Sequence, residues 1–302
     1  MINFILVLLT GLGWGLLSVG SKAVYSGTPS VDPFSLTVAR SAWALPLFLI
    51  VLAFAWYRER PRITRRQWLL IVGAALFYGP LVTLMFSLAS SHTSVAHISF
   101  LIGISPVTNT AVAAAVFRTG LGPRSIIALV LGMIGVAILA LSQHGDSGAL
   151  LGDVLMLFWL AGFAGYACCL RAVGPSVSPV TLMGIVGALS TLLVIIPGAI
   201  AGYTGGIVGV LGSAYGFWWF FGVVVLLAML IGQTTYAAAV KRMGVSVATI
   251  GSEYTALAVG TAASLLLHEA WTTLTVVAGL LFCCALAVTF VGGTREAKAE
   301  GA

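Results

Sequence analysis

Ten apolar stretches, each long enough to cross a lipid bilayer, follow one another along this chain. A spanning helix needs roughly 20 apolar residues. Hydrophobic residues make up 60% of the 302 residues and charged residues only 7%, which leaves too little polar surface to cover a soluble globule. We therefore predict an all-α integral membrane protein with ten transmembrane helices. The stretches cover residues 3–24, 34–57, 67–89, 94–117, 123–142, 151–171, 179–201, 216–240, 245–267 and 271–291.

Basic residues lie at one end of the predicted helices. Twelve of the 14 Lys and Arg residues fall in alternate connections or the C-terminal tail, whereas the connections at 90–94, 143–153 and 203–216 contain none. The positive-inside rule therefore places both termini in the cytoplasm. Since this placement explains the net charge of +6, we expect no nucleic-acid partner. The twelve are Arg58, Arg60, Arg62, Arg65, Arg66, Arg118, Arg124, Arg171, Lys241, Arg242, Arg295 and Lys298.

A weak internal repeat divides the chain into two halves of five helices. The segment SVDPF at 30–34 corresponds to SVSPV at 176–180, and Trp14 in the first stretch corresponds to Trp159 in the sixth. Because five is an odd number, the halves must insert in opposite orientations. Inverted repeats are typical of secondary transporters, whose substrate site lies near the bilayer midplane between the repeats. We predict repeats at 3–142 and 151–291, followed by a cytoplasmic tail at 292–302.

These features resemble the EamA-type repeats of the drug/metabolite transporter superfamily over residues 3–291. The resemblance rests on the five-helix repeat, the early tryptophan, Pro106 in the fourth stretch, the glycine-rich fifth and tenth stretches, and Glu253 in the ninth. Tyr254 stands where such repeats often have a proline after the acid. Overall similarity is greatest to bacterial aromatic amino-acid exporters. The resemblance implies a multi-pass protein of the bacterial inner membrane, with helices arranged around a central cavity.

Helix interruptions indicate where a central site would lie. In hydrocarbon, an irregular backbone is tolerated only where protein or a water-filled cavity satisfies its polar groups. The third stretch contains Tyr78, Gly79 and Pro80, and the fourth contains Pro106 and Asn109. Proline leaves the carbonyl four residues earlier without its helical partner, and such a carbonyl could meet a substrate ammonium group. The alternative interpretation is a kink that only improves packing.

Ionisable residues within the predicted helices are rare, because a buried charge is costly there. Glu253 lies eight residues into the ninth stretch, near the midplane, where it is a candidate partner for a substrate amine or a proton site. A structural hydrogen bond is the alternative. His97 in the fourth stretch is a further candidate, with a packing role as the alternative.

Aromatic residues form one predicted face of the sixth stretch. Trp159, Phe163 and Tyr166 follow one another at spacings of four and three. Such a face is often plain packing, but Trp159 has a counterpart in the other half. The predicted central cavity is therefore lined by Trp14, Tyr78, His97, Asn109, Trp159, Phe163, Tyr166, Gln233, Tyr236, Glu253 and Tyr254.

The leading hypothesis is a secondary exporter of amino acids, aromatic or broad in range, and of related small metabolites, working by alternating access. A nearly neutral set of central groups favours amino acids over phosphorylated substrates, which need two or more inward Lys or Arg residues. Proton coupling stays open. The alternatives are an exporter of other small drugs or metabolites, and a membrane receptor or structural protein that transports nothing.

The sequence offers little support for an intramembrane enzyme. The segment GVSVA at 244–248 lacks the final glycine of a nucleophile elbow, and neither an HExxH motif nor a Walker motif occurs. We therefore expect no catalytic residue, no cofactor and no metal site. The expected partners are a small-molecule substrate and the lipid bilayer. The oligomeric state stays open, and a monomer is compatible with the sequence.

Overall fold

A computed structural model describes residues 2–27, 32–90, 95–142, 150–212, 214–263 and 273–290. Within these ranges the chain is helical apart from short connections and contains no strand, which confirms the all-α class. The predicted tail at 292–302 lies outside the described residues. The helices are α1 (Ile2–Gly27), α2 (Pro33–Glu59), α3 (Arg65–Leu76), π1 (Phe77–Leu84), α4 (Met85–Ser90), α5 (Val95–Phe117), α6 (Pro123–Ser142), α7 (Leu150–Ala172), α8 (Pro179–Ile200), α9 (Gly205–Gly209), α10 (Ala214–Trp218), π2 (Trp219–Gly232), α11 (Gln233–Met243), α12 (Val245–Ala263) and α13 (Thr273–Phe290).

Among the described residues, five helical segments are long and apolar enough to cross a membrane, and α1, α5, α6, α12 and α13 contain shorter apolar segments. Many large apolar side chains face outward, as Ile50 and Ile200 do with exposed fractions of 65% and 84%. Such surfaces are rare on soluble monomers and suit a lipid environment. Ten crossings and two inverted repeats stay predictions. The five long segments are Phe34–Glu59, Arg65–Leu84, Val154–Ala172, Pro179–Ile200 and Gly216–Met243.

Asp32 fixes the start of α2. Its Oδ1 accepts hydrogen bonds from the backbone N–H groups of Phe34 (2.8 Å) and Ser35 (3.1 Å), and its Oδ2 accepts one from the Ser35 hydroxyl (2.6 Å). Pro33 occupies the first helical position, where its missing N–H costs nothing. Burial acts to raise the pKa of the Asp32 carboxyl, but the hydrogen bonds from Ser35 and Phe34 outweigh it, so this pKa lies below the usual 3.8.

The helices pack in corresponding pairs. α2 packs along α8, and α6 packs along α13. α1 packs on α12 and π2, while α7 packs on α5 and π1. The contacts that α1 makes with helices of the predicted second half are thus matched by those that α7 makes with helices of the predicted first half.

Glycines allow two of these helix pairs to approach closely. A Cβ atom built on Gly11 would overlap the Thr255 side chain and lie 3.0 Å from the Ala256 backbone nitrogen, so the backbone of α1 lies directly against α12. A Cβ atom on Gly132 of α6 would lie 1.8 Å from Cζ of Tyr254 on α12. A larger residue at either position has no room, which explains why small residues occur there.

The connection between α7 and α8, residues 173–178, is held by polar side chains from other helices. The Lys241 ammonium donates to the carbonyl oxygens of Gly174 (2.9 Å) and Val177. The Gln67 amide donates to the Val173 carbonyl (3.0 Å) and the Ser176 hydroxyl (2.6 Å). Because α3 and α11 both supply donors, this α7–α8 loop ties their ends together.

Candidate functional site

Six of the predicted site residues form one buried aromatic cluster in the core. Four helical segments contribute rings: α1, π1, α7 and α11. The aromatic spacing on α7 places three rings on the face that meets α1 and α11. The members of this aromatic cluster are Trp14, Tyr78, Trp159, Phe163, Tyr166 and Tyr236.

Phe163 lies at the centre of the aromatic cluster. Its ring centroid is 5.6 Å from that of Trp14 and 5.5 Å from that of Trp159, so the two tryptophans of the predicted repeat both contact it. Tyr236 stacks on Phe163 at 5.5 Å and lies 4.9 Å from Trp14. These offset and edge contacts stabilise ring pairs beyond simple burial. The result is a continuous aromatic surface shared by α1, α7 and α11.

Gln233 supplies the polar centre of the same site. Its Nε2 donates to the Tyr78 hydroxyl at 2.7 Å, and its Oε1 accepts from the Tyr166 hydroxyl at 3.0 Å. All three side chains are buried. The amide and the two hydroxyls therefore satisfy one another in an otherwise apolar region, as buried polar groups must.

Two π-helical segments border this polar centre. Tyr78 lies in π1, and Gln233 is the first residue after π2. Pro80 within π1 has no N–H to continue the α-helical pattern, and the Thr83 hydroxyl donates to the Tyr78 carbonyl at 3.0 Å. Wide helical turns of this kind are frequent at functional sites.

The indole nitrogen of Trp14 is buried within the aromatic cluster, and no described residue forms a hydrogen bond with it. By contrast, the Tyr236 hydroxyl pairs with the Thr249 hydroxyl at 2.9 Å. Thr249 was not among the predicted site residues. Its position one helical turn before Glu253 was the available signal, because residues four apart share a helix face.

A second polar group lies between α5 and α12. Glu253 is only 3% exposed, and Ser105 and Asn109 on α5 are fully buried. The Ser105 hydroxyl lies beside the Glu253 carboxyl. Neither polar atom of the Asn109 amide has a hydrogen-bond partner among the described residues. This α5–α12 polar group contains two of the predicted residues, and Ser105 was missed although it precedes Pro106.

The remaining two predicted residues are not brought to the aromatic cluster. The Tyr254 ring stacks on Phe282 of α13 at 6.0 Å, and its hydroxyl donates to the Leu129 carbonyl of α6 at 3.4 Å. It therefore packs against α6 and α13. His97 lies on α5, but its side chain is outside the described part of the structure.

Comparison with known proteins gives one family match and one match to a solved structure. The EamA-like transporter family matches residues 1–141. A solved crystal structure superimposes on the chain with a TM-score of 0.73, at 16% identity, over 97% of this chain and 97% of the other. At that identity the similarity establishes a shared fold. No curated protein matches the chain. The family match and the apolar helices together indicate a multi-pass membrane transporter.

Proposed function

We propose that this chain is a secondary transporter of the drug/metabolite transporter superfamily that exports amino acids, with aromatic side chains or of broad range, by alternating access. The observation that carries the proposal is the aromatic cluster, where Trp14 meets Phe163 and Tyr236 around the Gln233 amide. Rings of this kind bind an apolar substrate body, and a few polar groups orient it. The family match over residues 1–141 supports the transporter class.

The helix packing favours two inverted repeats of five helices each. The pairs α2 with α8 and α6 with α13 join corresponding helices of the predicted halves. The remaining main contacts of α1 have counterparts made by α7. In a transporter built this way, the substrate site lies where the halves meet and the halves move against each other around it. We expect the protein to lie in a bacterial inner membrane with both termini in the cytoplasm.

The charge of the site supports an amino acid over a phosphorylated substrate. Glu253 supplies the one carboxyl group among the described residues of the aromatic cluster and the α5–α12 polar group, which contain no lysine or arginine, and the single guanidinium of Arg40 acts on the Tyr78 hydroxyl from outside the cluster. A phosphate would require cationic side chains at the same place. An amino acid carries no net charge and combines an apolar body with an ammonium group, which Glu253 suits as a partner. The second role open to Glu253 is to carry a proton.

Flux from proteoliposomes tests the proposal. Vesicles loaded with radiolabelled amino acids should release them in a protein-dependent manner that unlabelled substrate competes. Trp159→Ala should lower the initial rate by about tenfold, because the loss of one aromatic contact costs about 1.4 kcal/mol and that free energy corresponds to a factor of ten. Trp218→Ala is the matched control, because Trp218 is 69% exposed and outside the cluster. Flux that is the same with and without protein for every amino acid tried would refute the substrate assignment.

The role of Glu253 requires a separate measurement. If the carboxyl carries a coupling proton, flux should respond to an imposed proton gradient in the wild type, and Glu253→Gln should remove that response. If it binds the substrate amine, Glu253→Gln should weaken substrate competition at every pH. A wild-type flux that is indifferent to the gradient would rule out the coupling role.

A further inference from the structure

The densest positive charge of the chain lies where α2 ends and α3 begins. Five of the nine residues at 58–66 are arginines and one is a glutamate, so this arginine segment has a net charge of +4. The other basic positions on the same predicted face, at 118–124, 171 and 241–242, hold one or two residues each. Because so few suffice there, the positive-inside rule alone does not explain five in one connection. The arginines are Arg58, Arg60, Arg62, Arg65 and Arg66.

The arginine segment is not neutralised by the rest of the described chain. All five arginines are exposed, and within the described part of the structure none of their guanidinium groups forms a hydrogen bond or an ion pair. The one carboxylate of the segment, Glu59, is engaged elsewhere: its Oε2 accepts from the Thr181 hydroxyl at 2.6 Å, and its charge acts on the Lys241 ammonium. The charge of the arginines is therefore balanced by groups outside the protein.

The start of α3 adds further positive charge at the same place. Arg65 and Arg66 are the first two residues of α3, at the positive end of its dipole. Acidic residues stabilise this end of a helix, and the first turn of α3 contains none. Thr64 caps the helix by accepting from the Gln67 backbone N–H at 3.3 Å, which satisfies a donor but supplies no negative charge. An anionic group beside the arginine segment would therefore stabilise both the arginines and the start of α3.

Exposed aromatic and apolar side chains flank the arginine segment on both sides. Trp56 and Tyr57 precede it, Trp68 and Leu69 follow it, and all four are exposed large hydrophobic residues. Phe54, one turn before Arg58 on α2, is 64% exposed. Tryptophan and tyrosine are enriched where a membrane helix passes from hydrocarbon into the headgroup layer. The flanks therefore place the arginines at the depth of the lipid phosphates.

We propose that the arginine segment binds the phosphodiester headgroups of anionic phospholipids, whose acyl chains lie along Phe54 and Leu69. Arginine forms paired hydrogen bonds to phosphate oxygens, and basic clusters next to a membrane helix attract anionic lipids. A free anion would match the arginines but not the exposed apolar flanks. The same holds for nucleic acid. This surface is separate from the aromatic cluster and does not depend on the proposed substrate.

Lipid titration of the purified full chain in detergent tests the proposal. Phosphatidylglycerol and phosphatidylcholine with identical acyl chains differ only in their headgroups, and native mass spectrometry counts the molecules bound. The first phosphatidylglycerol should bind at least about tenfold more tightly than the first phosphatidylcholine. Each basic residue near an anionic surface contributes about fivefold, so Arg62→Gln combined with Arg65→Gln should remove most of this preference.

Two further variants act as controls. Arg118→Gln combined with Arg242→Gln removes two exposed arginines from the same predicted face and should leave the preference unchanged. Arg62→Lys combined with Arg65→Lys keeps the charge and should keep most of the preference. An equal loss in the Arg118 and Arg242 pair would overturn the proposal, because any surface charge would then serve. A lysine pair as weak as the glutamine pair would also overturn it.

The identity of the bound group is decided by two measurements on the wild type. Equal affinity for the two lipids overturns the proposal outright. Glycerol 3-phosphate has a phosphate group but no acyl chain, so it should not displace phosphatidylglycerol at equal concentration. Displacement would mean that the segment binds a free anion and not a lipid surface. The assay contains no amino acid, so its result stands whether or not the chain transports one.

Discussion

The amide nitrogen of Gln233 donates to the Tyr78 hydroxyl oxygen at 2.7 Å, across 155 residues of the chain. Each residue adjoins or lies within a π-helical segment, and each comes from a different half of the sequence. The hydrogen bond therefore joins the predicted halves at the point where the aromatic cluster has its polar centre.

Replacing Gln233 with leucine should destabilise the protein by about 1–3 kcal/mol, because the Tyr78 hydroxyl and the Tyr166 hydroxyl both lose their amide partner. Unfolding in mild detergent measures the effect. Tyr78→Phe should cost less in the Gln233→Leu background than in the wild type, since the shared hydrogen bond is already gone. Strictly additive effects would mean that the two side chains are not coupled.

Gly132→Ala should destabilise the packing of α6 on α12 by about 1–3 kcal/mol, because the new methyl group overlaps the Tyr254 ring and Phe282 limits its movement. Thermal unfolding measures the loss. The matched control is Gly73→Ala, where the nearest atom is Cys169 Sγ at an ordinary 3.5 Å. That substitution should be neutral or stabilising by up to about 1 kcal/mol through helix propensity.

Replacing the Tyr254 ring with a smaller side chain should relieve its overlap with the new methyl group at residue 132. In a Tyr254→Leu background, Gly132→Ala should cost clearly less than in the wild type. If the cost is unchanged, the glycine serves some purpose other than close contact with Tyr254.

Asp32→Ala should destabilise the start of α2 by about 0.5–2 kcal/mol at neutral pH. The folded-state pKa of Asp32 is below 3.8, so the carboxylate's contribution is complete above pH 3.8 and is lost as the pH falls through the folded-state pKa. The free energy of unfolding of wild type and variant, measured across this range, should converge at low pH. Asp32→Asn keeps a capping side chain that does not titrate. A wild-type advantage over Asp32→Ala that persists undiminished in acid would contradict the assignment.

Lys241→Met should loosen the α7–α8 loop, because two carbonyl groups lose a charged donor. Hydrogen bonds to charged groups contribute about 1.5–3 kcal/mol, so amide hydrogen exchange in residues 173–178 should accelerate by about tenfold or more. Arg242→Met is the control, since Arg242 is exposed and donates to a surface acceptor, Asn3 Oδ1, at 3.2 Å. Equal acceleration in both variants would indicate a general loss of stability.

Helical spacing was sufficient to predict which aromatic residues would share a face. Trp159, Phe163 and Tyr166 recur at spacings of four and three, and the structure brings all three into one cluster. Hydropathy was likewise sufficient for the all-α class. These features depend on the regular geometry of one helix, which the sequence carries locally. Whether the clustered residues bind a substrate stays a prediction.

Tyr254 shows where local spacing was not enough. Consecutive residues project about 100° apart on a helix, so Glu253 and Tyr254 could not both face the same neighbour. The choice between them depends on which helix packs on each side of α12. Here Gly132 of α6 leaves room for the Tyr254 ring, and the Glu253 carboxyl lies beside Ser105 of α5. Contacts between segments that are far apart in the sequence decide which residue faces which helix. The residues of the ninth stretch alone therefore could not predict it.

The π-helical segments could not be predicted from periodicity, and π2 makes the site sensitive to chain length. A π turn accommodates one residue more than an α turn. Deleting a single residue between 219 and 232, if no turn of π2 tightens to absorb the loss, would rotate α11 by roughly 100° relative to α10. The Gln233 amide would then leave both tyrosine hydroxyls with every side chain of the site still present. Residue count along this helix, and not residue identity alone, thus determines whether the two halves can meet.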